Sequence, residues 1–240
     1  MEIPDQELFL PDLEKERKEP TALERLRAVL FFFGAAVALA GMVYLSGFYQ
    51  FFLFSRTSPE AHQKPLPSLV EGELLVLPLH AFVLIQEPTL GSSRQEDDVK
   101  RIVSDASAIW KQANISFTVD SISFVEVEKE ELGLFLADPR MFLLGISGED
   151  LGVINVFLTK TLSGINGVAF TDVSSLVVAD FTTSFDFRVL AHEIGHVLSL
   201  PHVTSDGGRL MFQGADGFLL TQDEALRARV VARRFLGADF

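Results

Sequence analysis

Three of the chain's five histidines fall within eleven residues, in the window HEIGHVLSLPH from 192 to 202. No other feature of the sequence constrains the local fold as tightly. In a helix, side chains four apart share a face, so His192 and His196 point the same way one turn apart. Ile194, Val197 and Leu198 give that helix an apolar side to bury. Pro201 cannot continue a helix and biases the preceding residue toward extended backbone. The helix is therefore expected to end just before His202, which lets the chain turn and bring a third imidazole back to the first two. Burying three imidazoles with nothing to satisfy them is costly. Neutral imidazole suits zinc, and a catalytic zinc takes three protein ligands and leaves a fourth position open. His192, His196 and His202 are therefore predicted to hold one Zn2+. Glu193, next to the first ligand, is predicted to be the general base, taking a proton from a water that zinc acidifies toward a pKa of about 7.

A second feature divides the chain. No charged residue occurs between Arg27 and Arg56, and the stretch is dominated by Ala, Val, Leu and Phe. A helix crosses the hydrocarbon core with roughly 20 apolar residues, so this run suffices for one tilted span. Ala38-Leu39-Ala40 offers a small-residue cleavage site, but the preceding segment is long and the apolar run continues past it, which favours a retained anchor. Lys15, Arg17, Lys18, Arg25 and Arg27 precede the run, and only Arg56 and Lys64 follow it closely. The excess of basic residues places the N-terminus in the cytoplasm and the remainder outside. The expected organisation is a cytoplasmic tail over 1–27, a single-pass transmembrane anchor over 28–55, a Pro-containing linker over 56–72 and an extracytoplasmic domain over 73–240.

Within that domain, Glu73 to Gln86 reads as a buried strand. The spacing of Val99, Ile102, Val103, Ala106, Ile109 and Trp110 predicts an amphipathic helix over 95–113. Ile115 to Val127 alternates as a half-buried strand does. Residues 132–148 fit neither period. Gly152 to Thr159, Gly167 to Thr171 and Leu176 to Asp180 read as strands, and Phe187 to Leu200 as a helix. The capping box Thr221-Gln222-Asp223-Glu224 opens a final helix. The order implies an α+β fold, a mixed twisted sheet with helices packed on it.

The window at 192–202, followed nine residues later by Met211 in Arg209-Leu210-Met211-Phe212, resembles the metzincin zinc-peptidase motif H-E-x-x-H-x-x-G-x-x-H with its methionine turn. The short spacing is most similar to matrixin-like members. The resemblance implies a metzincin-like zincin domain with an active-site helix and a C-terminal helix, and a peptidase activity, endopeptidase rather than exopeptidase. It implies that Met211 forms an apolar base beneath the ligands. It also implies that Gly167, Val168, Ala169 and Phe170 form an edge strand that pairs with an extended substrate, and that the loop from Gln213 to Leu220 shapes a specificity pocket. The sequence departs from the motif at Ser199, which stands where the family has glycine. A serine in the left-handed backbone of that turn costs about 1 kcal/mol. No tyrosine follows Met211, so the extra ligand of some metzincin branches is missing.

Composition bounds the alternatives. The chain has no cysteine, which excludes disulfides, a thiolate zinc site and a cysteine nucleophile. A net charge of -13 repels phosphate backbones and argues against nucleic acid as a partner. Asp172, Asp180 and Asp206 read as turn and cap residues, with calcium ligation the lesser alternative. The expected partners are a protein or peptide substrate and the membrane. Two other functions fit the same residues: a non-catalytic metzincin-like binding module, and a membrane-tethered assembly factor docking through residues 1–20. The carboxylate at Glu193 weighs against the first, since a module that only binds has no use for a base beside the metal.

Overall fold

The computed structural model describes residues 66–148, 152–214 and 217–237, all within the unit spanning 61–240. The anchor expected over 28–55, the tail before it and most of the linker lie outside these residues. Among the described residues no helix is long and apolar enough to cross a membrane.

Five strands, β1 (Leu75–Ile85), β2 (Ile115–Glu126), β3 (Ile154–Thr159), β4 (Gly167–Phe170) and β5 (Ser175–Ala179), form one sheet in the order β2-β1-β3-β5-β4. The first four neighbours in that order run parallel, and β4 closes the edge antiparallel to β5. Every residue of β3 and β5 is buried. Their largely apolar sequences, INVFLT and SLVVA, suit parallel strands covered on both faces. Alternate side chains serve two cores: Ile154, Val156, Leu158, Leu176 and Val178 enter the larger one, and Phe157, Val177 and Ala179 the smaller.

The helices among the described residues are α1 (Glu96–Trp110), extended by a 3-10 turn at Lys111–Ala113, α2 (Lys129–Ala137), α3 (Pro139–Ser147), α4 (Asp186–Val197) and α5 (Gln222–Phe235). The larger core takes Ile102, Ile109 and Trp110 of α1, Leu190 and Ile194 of α4, and three alanines of α5, Ala225, Ala228 and Ala232. The smaller core takes Phe135 of α2 with Phe142 and Leu143 of α3. Residues 132–148, unreadable by period, are thus parts of two short helices. Asp138 separates them: its side chain caps α3 by accepting from the Met141 amide at 3.2 Å, with Pro139 in the first turn.

Residues at the end of the expected linker pack on the domain. Val70 is buried, the Leu69 amide donates to the Gln112 carbonyl at 2.8 Å, and Asn114 Nδ2 donates to the Val70 carbonyl at 3.0 Å.

Candidate functional site

The helix α4 that carries the HEIGH segment is fixed at both ends. At its start Asp186 accepts from Arg94 Nη1 at 2.8 Å and Arg101 Nη2 at 2.9 Å. Burial pushes the Asp186 carboxyl up, but the Arg101 hydrogen bond and the charge and hydrogen bond of Arg94 outweigh it and hold it below its ordinary value. Arg94 also donates through Nε to Asp180 at 2.9 Å, and both those side chains are buried. The two acids and two arginines tie the strand end after β5 to the first turn of α4 and to α1.

The C-terminal end departs from expectation. The helix stops at Val197, three residues earlier than Pro201 alone implied. Ser199 takes φ +63°, the Ser199 amide donates to the His196 carbonyl at 2.9 Å, and the Leu200 amide donates to the Gly195 carbonyl at 2.8 Å. These paired bonds around a left-handed residue are a Schellman turn, normally built on glycine. Serine therefore adopts the backbone that glycine would, and the turn delivers His202.

Three imidazoles converge. His202 Nε2 lies 3.2 Å from His192 Nε2 and 3.0 Å from His196 Nε2, and the candidate ligand atoms all lie within 4.8 Å of one another. Each ring on α4 has its other nitrogen engaged. His192 Nδ1 donates to the Leu210 carbonyl at 2.8 Å and His196 Nδ1 to the Leu200 carbonyl at 2.9 Å. A carbonyl only accepts, so the proton of each neutral ring sits on Nδ1 and its Nε2 presents a lone pair. Burial holds the His192 ring down to about 4, against the Leu210 hydrogen bond, with the nearby Arg188 guanidinium and the two neighbouring imidazoles adding to it. Burial lowers His196 in the same way. Two lone pairs, those of His192 and His196, thus face the Nε2 of His202, an arrangement that a cation between the three nitrogens satisfies. Zinc–imidazole bonds of about 2.0–2.1 Å in a tetrahedron put ligand nitrogens about 3.3–3.4 Å apart. The observed spacing is close to this, so the residues fit one Zn2+. The side open to solvent is that of His202, which is exposed, whereas His192 is buried and His196 half-buried.

The loop holding Met211 supports two of the rings. Leu210 supplies the carbonyl for His192, and the Met211 carbonyl accepts from the Val203 amide at 3.0 Å, next to His202. Met211 is fully buried against α4. A Cβ at Gly195 would run into Met211 Sδ and lie 3.0 Å from its Cε. Gly195, an unconstrained position in the motif, is the residue that lets the methionine seat beneath the helix. Trp110 braces the same turn from α1, donating through Nε1 to the Ala191 carbonyl at 3.1 Å. Neither Gly195 nor Trp110 could be assigned a role at the site from spacing alone.

Glu193 is buried at 7% exposure. Burial pushes its carboxyl up to about 7, against the pull of the Arg188 guanidinium. It lies against the edge strand: a Cβ on Gly167 would come within 2.9 Å of Glu193 Cγ and 3.1 Å of Oε1. Gly167, Val168 and Ala169 of β4 line a cleft of about 820 Å3 together with His192, Glu193, His196 and His202. Phe170, at the far end of β4, is not among the lining residues; its ring carries the Arg140 guanidinium at 5.6 Å. From the loop after Met211, Gln213 and Gly214 reach the cleft.

The three aspartates do not converge. Asp172 pairs with Arg140 at 2.9 Å, and Asp206 Oδ1 accepts from the Gly208 amide at 2.9 Å as a turn residue does. Asp180, read as a turn residue, is instead an ion-pair hub whose oxygens accept from Ser92, Ser93 and Arg94. A guanidinium in that shell is incompatible with calcium. Among the described residues the histidines form the one group of three or more metal-binding side chains.

No protein-family model matches the chain, and no curated protein matches it by sequence. Among solved structures it is similar to Tannerella forsythia mature mirolysin in complex with a cleaved peptide, at 12% identity and a TM-score of 0.49, covering 69% of this chain and 96% of that one. It is similar to archaemetzincin from Archaeoglobus fulgidus complexed with malonate, at 15% identity and a TM-score of 0.40, covering 63% and 99%. A zinc-dependent peptidase from Methanocorpusculum labreanum aligns at 18% identity and a TM-score of 0.32, covering 64% and 99%.

Proposed function

We propose that the chain is a zinc-dependent peptidase that cleaves within polypeptides laid along β4. The observation that carries the reading is the meeting of three Nε2 atoms, two of them with protons committed elsewhere, beside a buried carboxyl in a strand-edged cleft. His192, His196 and His202 would hold the ion. Bound there, zinc supplies Lewis acidity toward a carbonyl oxygen and toward water.

The rest is done by the chain's own side chains and backbone. Glu193 takes a proton at its carboxylate and returns it to the leaving amine, a role suited to a group whose burial raises it to about 7. Among the described residues β4 is the sheet's edge, with no strand on its outer side. It can pair antiparallel with an extended peptide, with Gly167 keeping the strand close to Glu193. Met211, nine residues after His202, supports the apolar base that the matrixin-like resemblance implies.

We also propose that the enzyme is anchored by residues 28–55 and works outside the cytoplasm on protein or peptide substrates. The charge-free run and the basic residues before it support this.

The test is cleavage of a peptide library by the purified full-length chain, read by mass spectrometry with and without chelator. Chelator-sensitive internal cleavage is expected, lost in Glu193→Gln with zinc still bound. Undiminished turnover in zinc-loaded Glu193→Gln would refute the role of Glu193, and no cleavage by the zinc-loaded wild type would refute the activity.

A further inference from the structure

We propose that Arg188 is a positioning residue for the metal site, acting through the peptide carbonyl of Leu210. This rests on the reading of the three histidines as a metal site. Arg188 lies on α4 one turn before His192, so the two side chains leave the same face of the helix. It is buried at 5% exposure. Its Nη2 donates to the Leu210 carbonyl at 2.8 Å and to the Phe212 carbonyl at 2.7 Å, and its Nε donates to the Gly217 carbonyl at 3.3 Å.

The Leu210 oxygen is the same atom that receives His192 Nδ1. A carbonyl oxygen has two lone pairs, and here a guanidinium takes one and a candidate ligand takes the other. Where Arg188 holds that oxygen, the His192 ring must tilt to meet it, and its tautomer is fixed with Nε2 turned toward the other rings. The clamp reaches further. Met211 lies between the two carbonyls that Nη2 grips, and its own carbonyl accepts from the Val203 amide beside His202. One side chain on the helix of the first two ligands thus sets the loop that orients the first and steadies the third.

Packing alone gives no reason for a guanidinium here. An apolar side chain of similar volume would fill the space but take this donor away from the Leu210, Phe212 and Gly217 carbonyls. What only arginine supplies is a rigid fork of donors that spans several carbonyls at once; a lysine ammonium on a flexible stem does not.

The experiment compares the full-length wild type with Arg188→Lys, Arg188→Met and a control, Leu143→Ala, which weakens the core on the opposite face of the sheet. Three quantities are measured: zinc affinity by competition with a chromophoric chelator, the visible spectrum of the cobalt-substituted protein, and the melting temperature in chelator. Zinc affinity should fall about 10–100-fold in both Arg188 variants, the usual effect of losing an outer partner of a ligand. The cobalt spectrum should change with it. Leu143→Ala should melt lower with affinity and spectrum intact. The proposal is overturned if a folded Arg188 variant keeps wild-type affinity and spectrum, or if the control loses affinity equally. It is also overturned if both Arg188 variants stay unfolded in saturating zinc, since Arg188 would then be a general anchor of the fold. A wild type that binds no zinc is a distinct result: it removes the metal reading itself, and this proposal with it.

Discussion

Replacing Gly195 with alanine should destabilise the protein, against the usual preference of helices for alanine. At an interior helix position the exchange ordinarily gains about 0.5–1 kcal/mol. Here the added methyl would run into Met211 Sδ and lie 3.0 Å from Met211 Cε. Met211 is fully buried and Trp110 Cζ2 lies 3.7 Å from the added methyl, so the methionine must shift within the core to make room. Overpacking of this kind costs about 1–3 kcal/mol, which leaves a net loss of up to about 2.5 kcal/mol after the propensity gain, about 1 kcal/mol at mid-range. Met211→Ala alone should cost about 2–5 kcal/mol as a cavity. In that background the clash is gone, and Gly195→Ala should be neutral or stabilising. The two substitutions should therefore couple by about 1–3 kcal/mol, well outside the roughly 0.3–0.5 kcal/mol scatter of independent sites. Urea unfolding of the four proteins, followed by the fluorescence of Trp110, the chain's one tryptophan, measures the cycle. Chelator in every sample removes stabilisation by bound metal. A Gly195→Ala protein more stable than wild type, or an additive cycle, would refute the idea that Met211 is seated through Gly195.

Ser199→Gly should raise the melting temperature by relieving about 0.5–1 kcal/mol of left-handed strain; a lower melting temperature would contradict the turn assigned to it. Asp186 has its carboxyl held below the ordinary value, so its stabilisation is complete above the unfolded value of about 3.9 and fades as pH falls through the lower folded value. Asp186→Asn should flatten the decline in melting temperature below about pH 4, and an unchanged slope would exclude the ion pairs as its source. Gly167→Val pushes into Glu193 and Val189 and should lower kcat/KM about 10–100-fold through misplacement of the carboxyl, with zinc affinity retained. Unaltered kcat/KM in that variant would separate β4 from the reaction.

The sequence made the site legible where chemistry needs fixed spacing. His192 and His196 are four apart because a helix turn is, and the third imidazole required only that the chain reverse before His202. The strands β3 and β5 were legible because burial on both faces leaves them mostly apolar, without the alternation of a half-exposed strand. The helical hairpin at 129–147 was not, because its apolar residues have neither period and its one clear signal is the Asp138-Pro139 cap. The end of α4 was misplaced for a similar reason: Pro201 is a strong breaker, but the stop comes from a left-handed serine that no propensity favours. Long-range partners were out of reach. Nothing in the spacing tells that Arg188 meets carbonyls at 210, 212 and 217, that Trp110 braces Ala191, or that Asp180 and Asp186 share Arg94. Those contacts are set by how the sheet stacks α1 against α4, a property of the whole domain.

The central claim is that three neutral rings share one divalent ion, and X-ray absorption at the zinc edge addresses it directly on the purified full-length protein. One zinc per chain is expected, with three imidazole nitrogens at about 2.0–2.1 Å, reduced to two in His202→Ala. A wild-type spectrum with fewer imidazoles, or one unchanged by the loss of His202, would contradict it.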